Sequence, residues 1–418
     1  MPKVLKMLNR VEFTKTNNAL NILFITDNFP PEVNAPATRT YEHAKRWVQK
    51  GSIVKVITCA PNFPQGKLYP GYKNKFYQIE NMEGITVIRV WSYMTSNRGF
   101  FLRIFDYLSF AFSAFLVGLF KPCDVIVATS PQFFTTFAAY FLSIFKRKPW
   151  FFEVRDLWPE SIRSVGAMDK NSKILDIFER IELFLYGKAK KVIVVTEAFK
   201  KNLIQRKIPC EKIDVIPNGC NSELFFPCET DEVLKRNLGL SGKIVLGYIG
   251  THGMAHGLDF IIHSFKKLDS QKYVLLLVGD GAEKKTLMNL VVKEKISGVH
   301  FLPPIPKVEV PRYISICDVC LVPLIKSPTF RTVIPSKIFE IAAMEKPILL
   351  GVDGQARQIV DKYGCGIFFE PENEESFLKG INQIKKVRTR SELKSGCRKL
   401  VNDYERNILA DRMLEILK

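Results

Sequence analysis

The sequence predicts an α/β protein of two Rossmann-like, doubly wound parallel-sheet domains facing one another across a cleft. Short apolar runs of strand type alternate with helical stretches along most of the chain. That alternation pauses at 220–241, which reads as a linker with one short helix, and restarts at Gly242. A length of 418 residues, 47% of them hydrophobic, is enough for two or three domains with sizeable cores.

The first domain, 21–217, opens with the strand NILFITD (21–27) and the polar loop EVNAPAT. A helix over 39–50 and the strand SIVKVITC follow. Ligands of such sheets sit beyond the carboxyl ends of the strands, so the 28–38 loop is a candidate site wall. Residues 60–84, rich in Pro, Gly, Tyr and Lys, read as one long loop before the strand ITVIRVW. Further on come strand DVIVATSP, helix QFFTTFAAYFLSIF and strand PWFFEVRD, then a helix over 174–187, strand KKVIVVT and a helix over 197–206. Asp156 stands at the carboxyl end of its strand, followed by Trp158-Pro159, which reads as a rigid lip.

The second domain, 218–400, repeats the pattern. Strand 242–250 leads to a helix over 257–268, and strand YVLLLVGDG leads to one over 282–295. After VHFLP come a helix over 308–316, strand DVCLVPL, a helix after Pro335 and strand PILLGV. Residues 401–418 read as a closing helix. Residues 1–20 are polar without an apolar core, which predicts a loosely held extension and no secretory signal.

Lys and Arg number 61 against 42 Asp and Glu, a net charge of +19 that favours anionic partners. The basic residues are dispersed and no nucleic-acid motif occurs, so nucleic acid is not expected. The nine cysteines are irregularly spaced. The pair Cys317 and Cys320 has no second pair to complete a zinc site, so free thiols in a reducing cytosol are expected. A G-x-G-x-x-G fingerprint is absent, which argues against a nicotinamide enzyme.

Phe100–Phe120 is the most lipophilic stretch. Arg103, Asp106, Ser109 and Ser113 recur at helical spacing and leave a wide apolar face, with Arg98 and Lys121 as flanking cations. This fits a helix lying in an anionic membrane interface, and equally a core helix of the first domain.

The most informative stretch is FRTVIPSKIFEIAAMEKP (330–347). Ser336 is positioned as an N-cap, with Lys337 and Glu340 in the first turn. A first-turn cation opposes the helix dipole unless an anion lies in front of it. A carboxylate one turn along can accept both hydroxyls of a ribose. Equally, the three residues read as the cap and solvated first turn of a surface helix.

Val215-Ile216-Pro217-Asn218-Gly219, Val278-Gly279-Asp280-Gly281, Phe339-Glu340-Ile341-Ala342-Ala343 with Lys346-Pro347, and the tyrosine-containing closing helix occur in order. Together they resemble the family-4 retaining glycosyltransferases of the GT-B fold, from about residue 21 onward. FPPEVNAPATR, EVRDLWPES and VIPSKIFE resemble the branch that builds bacterial O-antigen, lipopolysaccharide, capsule and exopolysaccharide units.

The resemblance implies transfer of a sugar, N-acetylated or 6-deoxy, from a UDP-sugar to a polyprenyl-diphosphate-linked acceptor. It implies an enzyme peripheral on the inner face of the cell membrane, with no metal and no cofactor beyond the sugar nucleotide. Lys337 and Arg331 are the expected phosphate cations, with the amides of Ser336 and Lys337. Glu340 is the ribose clamp, Asp156 lies beside the reacting sugar, and Arg155 pairs with it or holds an acceptor phosphate. Gly250, His256, Gly279, Asp280 and Gly281 form the nucleotide-facing loops.

Three positions depart from the family pattern. Thr332 replaces the first of two glutamates eight residues apart, His256 replaces a lysine, and Asn34-Ala35-Pro36 replaces a glycine pair. A UDP-N-acetylglucosamine 2-epimerase on the same fold, or an inactive membrane scaffold, stays open as an alternative.

Overall fold

The computed structural model describes residues 19–63, 66–95, 100–130, 134–157, 173–385 and 387–418. Residues 1–18 of the extension predicted over 1–20, Arg98 and the Trp158-Pro159 lip lie outside the described residues.

The first sheet has eight strands in the order β3-β4-β2-β1-β5-β6-β7-β8. They are β1 (Asn21–Ile25), β2 (Ile53–Cys59), β3 (Tyr77–Met82), β4 (Ile85–Val90), β5 (Val125–Thr129), β6 (Trp150–Val154), β7 (Lys191–Val194) and β8 (Ile213–Val215). The second sheet is wholly parallel, in the order β11-β10-β9-β12-β13-β14. Its strands are β9 (Ile244–Ile249), β10 (Tyr273–Val278), β11 (Val299–Leu302), β12 (Val319–Pro323), β13 (Ile348–Gly351) and β14 (Gly366–Phe368). The central strands are buried end to end, which is why they read as unbroken apolar runs.

Each sheet reverses its winding once, beside β1 in the first and beside β9 in the second. A crevice opens at such a point, beyond the carboxyl ends of the strands. The helices that enter the crevice follow β1 and β12: α1 (Ala35–Gln49) and α10 (Lys337–Ala343).

Three expectations are corrected. The loop over 60–84 contains β3, which pairs antiparallel with β4. Glu83 and Gly84 both take positive φ between the paired Met82 and Ile85, the geometry of a two-residue hairpin. Half-exposed edge residues such as Gln78 and Glu80 hid the strand. Helix α1 starts at Ala35 rather than Arg39, because Asn34 caps it and Pro36 fits its first turn. The second domain also holds α11 (Gln355–Tyr363), β14 and α12 (Glu374–Ile384), which the reading of 352–390 did not resolve.

The chain crosses between the domains twice. The linker runs through Pro217-Asn218-Gly219. The return passes from α13 (Val387–Tyr404) into α14 (Arg406–Leu417) at Glu405, later than residue 401, where a bridge joins it to Cys220. A Cβ on Gly219 would lie 2.1 Å from the Tyr404 carbonyl oxygen, so only glycine allows these strands to touch. Helix α14 then seats on α1. Trp47 donates to the Ala410 carbonyl at 2.8 Å, and Arg46 makes two bonds to Asp411 at 2.8 and 2.7 Å. All nine cysteines are free thiols, with Cys317 and Cys320 buried.

Candidate active site

A cavity of about 550 Å³ lies between the domains. Asn34, Thr38, Arg39, Phe63 and Tyr69 line it from the first domain, and Gly250, Gly279, Asp280, Lys307, Ser336, Lys337 and Glu340 from the second.

Lys337 is at its floor. Its ammonium stands 3.8 Å from the centre of the Tyr248 ring. Burial pulls the ammonium down to about 7; nearby Glu340 opposes the shift and Lys307 adds to it. Gly250 makes the position possible: at φ 146° it lies so close that a Cβ would be 2.4 Å from the Lys337 Nζ. Ser336 contributes no side-chain capping bond, and its own backbone is helical. The N-cap assigned from sequence is therefore absent, and the serine lines the cavity instead.

Glu340 lies one turn on and is ion-paired with Lys307, whose ammonium also stands 4.8 Å over the Phe225 ring. Lys307 follows β11 in sequence and escaped the sequence reading. Its partner is 33 residues away, so only the fold joins them.

The glycines of 279–281 serve packing between loops. A Cβ on Gly279 would be 1.9 Å from the Gly250 carbonyl oxygen, and one on Gly281 would be 2.4 Å from that of His252. Lys284 ties this turn down by donating to the carbonyls of Gly279 at 2.7 Å and Leu302 at 2.8 Å. Asp280 stays exposed at the rim, its carboxylate accepting from the Gly281 amide at 2.9 Å.

Four expected site residues do not line the cavity: Gly281, which packs against His252, and Arg331, His256 and Asp156. Arg331 is 66% exposed and pairs with Asp353 at 3.3 Å. The turn Thr329–Thr332, closed by a bond from the Thr332 hydroxyl to the Thr329 carbonyl, directs it outward into a separate hollow with Lys326 and Arg357. His256 turns to the Gly253 carbonyl at 3.2 Å, and burial with nearby Lys337 lowers it to about 4, so it is neutral at pH 7. It therefore cannot replace a lysine as a cation. Asp156 is half-buried after β6, close enough to Tyr186 to act on its hydroxyl, and does not line this cavity.

Arg155 does not answer to Asp156 either. Its guanidinium is buried, which lowers it to about 10, and its favourable charge contacts are Glu153 and Asp27. Arg39, which sequence reasoning passed over, is almost wholly buried. It donates to Glu153 at 2.8 Å and to the linker carbonyls of Pro217 at 2.6 Å and Ile216 at 2.8 Å. Burial would raise Glu153, but Arg39 and Arg155 outweigh it and hold the carboxyl near 2. Arg406 grips the other side of the linker through Gly219 and Glu42.

The family model for Glycosyltransferase Family 4 matches residues 36–224, and that for Glycosyl transferases group 1 matches 230–400. The chain belongs to the family-4 glycosyltransferases. WcaI of Escherichia coli K12, described as a colanic acid biosynthesis glycosyl transferase, is 23% identical, covering 87% of this chain and 92% of WcaI. The glycosyltransferase WbjE of Pseudomonas aeruginosa is 24% identical over 56% of this chain, and the match spans 59% of its length. HepE of Anabaena, solved with UDP and glucose, superposes with a TM-score of 0.70 at 17% identity, covering 95% of this chain and 99% of HepE. The fold of this glycosyltransferase is GT-B, with the cavity in the interdomain cleft.

Proposed function

We propose that this glycosyltransferase moves a hexose, N-acetylated or 6-deoxy, from a UDP-sugar to a polyprenyl-diphosphate-linked acceptor, with retention at the anomeric carbon. The observation that carries the reading is the pairing of Lys337 and Glu340 on one helical turn, beside the loops of Gly250 and Gly279 and open to the cleft. UDP and glucose bound by HepE support a UDP-sugar donor. The name of WcaI, a colanic acid biosynthesis glycosyl transferase, supports work on bacterial surface polysaccharide.

In this reading the expensive event is negative charge growing on the departing diphosphate. Preorganised cations aimed at that charge are the largest expected catalytic term. Lys337 is held close to neutrality while the cleft is empty. An incoming diphosphate supplies the counter-charge that keeps it protonated, so its full charge appears only with the ligand. Lys307 occupies Glu340 in the free enzyme. When the ribose hydroxyls take the carboxylate, the lysine is released toward the phosphates a few ångströms away. Two lysines then do the work of a divalent ion, and turnover persists in EDTA. Asp156 and Arg155 belong to the acceptor side of the cleft in this scheme.

Attachment to the inner face of the cell membrane through Phe100–Phe120 completes the reading. The helix α2 (Phe100–Leu119) has a wide apolar face turned to solvent, as a lipid-linked acceptor requires.

The test is diphosphate release in EDTA from UDP-, GDP- and ADP-sugars, with and without a polyprenyl-diphosphate-linked sugar. Release of UDP that depends on the lipid acceptor is expected. Conversion of UDP-N-acetylglucosamine with no acceptor would replace the reading with an epimerase.

A further inference from the structure

Helix α2 divides its apolar residues between two surroundings. Phe110, Ala111 and Ala114 are buried against the first sheet, and Gly118 meets Leu142 of α3 (Thr135–Lys146) so closely that a Cβ would lie 2.5 Å from it. Phe115 is wedged edge-on between Phe141 and Phe145 of α3 and so does not belong to the free face. Phe105, Phe112, Leu116 and Phe120 remain exposed, Phe112 by 64% and Phe120 by 82%. Phe141, Ile144 and Phe145 extend this surface onto α3. A water-soluble surface seldom carries so many contiguous large apolar groups.

Between α2 and the β3–β4 edge the surface deepens into a groove of about 480 Å³. Phe76 and Trp91, stacked with ring centres 6.0 Å apart, form one wall, and Phe112, Leu116 and Phe120 form the other. From Phe112 to Leu119 the groove follows α2 for about 10 Å at 1.5 Å per residue, and Phe120 and Lys121 extend it past the helix end.

Among the described residues, Lys121 is the one cation lining the groove. Its ammonium donates to the Tyr77 hydroxyl at 2.7 Å and lies over that ring. Lys55 and Lys146 gather at the same end, donating to the carbonyls of Pro122 and Leu119, and Lys148 pairs with Asp124 at 3.6 Å. Four ammonium groups thus meet one carboxylate beside an apolar slot, which matches an anionic headgroup carrying a hydrocarbon chain. Lys121 lies just before β5, at the amino ends of the strands, whereas the cleft lies at their carboxyl ends. The five residues of β5 separate the two by about 17 Å. The charged end is thus remote from the reacting sugar, and an anchoring lipid fits it better than the acceptor does.

We propose that this groove binds one acyl chain of an anionic membrane phospholipid, whose phosphate rests against Lys121. The proposal rests on the membrane attachment argued above and adds a defined lipid site to it. The enzyme then lies with α2 flat on the bilayer and its cleft at a set height above the surface.

The experiment uses the full chain with phosphatidylglycerol vesicles whose acyl chains carry bromine, a short-range quencher of tryptophan. Trp91 lines the groove, while Trp47 and Trp150 are buried elsewhere. Wild type should be quenched, and Trp91→Phe should lose most of that quenching. Ser113→Phe, which fills the groove, should abolish the Trp91 signal while co-sedimentation with vesicles changes less than about twofold. Lys121→Gln should lower partitioning about fivefold, the worth of one lysine near an anionic surface.

Co-sedimentation without Trp91-dependent quenching would overturn the groove and leave membrane attachment standing. Absence of vesicle binding would overturn both. Equal quenching by neutral phosphatidylcholine vesicles would overturn the role of Lys121. Relief of quenching by a polyprenyl phosphate would give the groove to the acceptor chain instead.

Discussion

Helices α1 and α10 enter the same cleft from opposite domains, and their first turns are built in opposite ways. Asn34 caps α1 by accepting from the Ala37 amide at 2.8 Å, and its amide group donates to Asn28 at 2.6 Å. Five residues on, Arg39 locks the helix to Glu153 and to the linker. Helix α10 has no side-chain cap, and its first residue is a half-buried lysine opposing the dipole. The first turn satisfied by its own side chains is a joint. The one left electrostatically incomplete is where an anionic ligand gains most.

The comparison breaks first at Arg39. Arg39→Ala should destabilise the first domain by about 3–5 kcal/mol, because Glu153 is left buried without its strongest partner. Urea unfolding measures this; a loss below about 1 kcal/mol would show that Arg39 is not the joint. Lys337→Ala should instead leave the urea midpoint unchanged or higher and reduce kcat by about 10²–10³. Equal effects of the two substitutions on stability would erase the distinction between the helices.

The pH dependence sharpens it further. Lys337 is lowered to about 7 in the free enzyme, and a bound diphosphate raises it. Below pH 7 the lysine is already charged and UDP affinity is flat. Above pH 7 binding must take up a proton, so affinity falls about tenfold per pH unit until the complex itself titrates. Calorimetry in buffers of different ionisation enthalpy reads that proton directly, and Lys337→Met should abolish the uptake.

Glu340→Ala should weaken UDP by about tenfold, the loss of a charged hydrogen-bond acceptor. It should leave a 2′,3′-dideoxy analogue nearly unaffected; equal losses would sink the ribose clamp. The smallest change is Asn34→Ala, expected to cost about 1 kcal/mol of stability in urea unfolding, as for other N-cap removals.

Most of the fold was legible because β/α alternation is a local signal. Apolar runs such as Val125–Thr129 and Tyr273–Val278 are strands wherever they are placed, since both of their faces are covered. What was missed had weak local patterning. Strand β3 is a half-exposed edge, and β14 spans only three residues, none of them fully buried. Within the site, Lys337, Glu340 and the two glycine loops were readable from motif and spacing. Arg331 was misplaced because one turn, Thr329–Thr332, reverses its direction. His256 was expected in a nucleotide-facing loop, but its ring turns to the Gly253 carbonyl, an orientation that no spacing reports.

By itself the sequence determined the class of the molecule: two wound sheets, a break between them near residue 220, a lysine and a glutamate on one helical turn, and one unusually lipophilic helix. These follow from covalent order, from the 3.6- and 2-residue periods and from residue type. The tertiary structure alone decided which partners those residues meet. It brought Lys307 to Glu340 and Arg39 to the linker carbonyls, 177 and 178 residues away. It set Lys337 against an aromatic ring and left one face of α2 uncovered beside Phe76 and Trp91. Charge state and exposure depend on everything packed around a group, and only the folded chain specifies what that is.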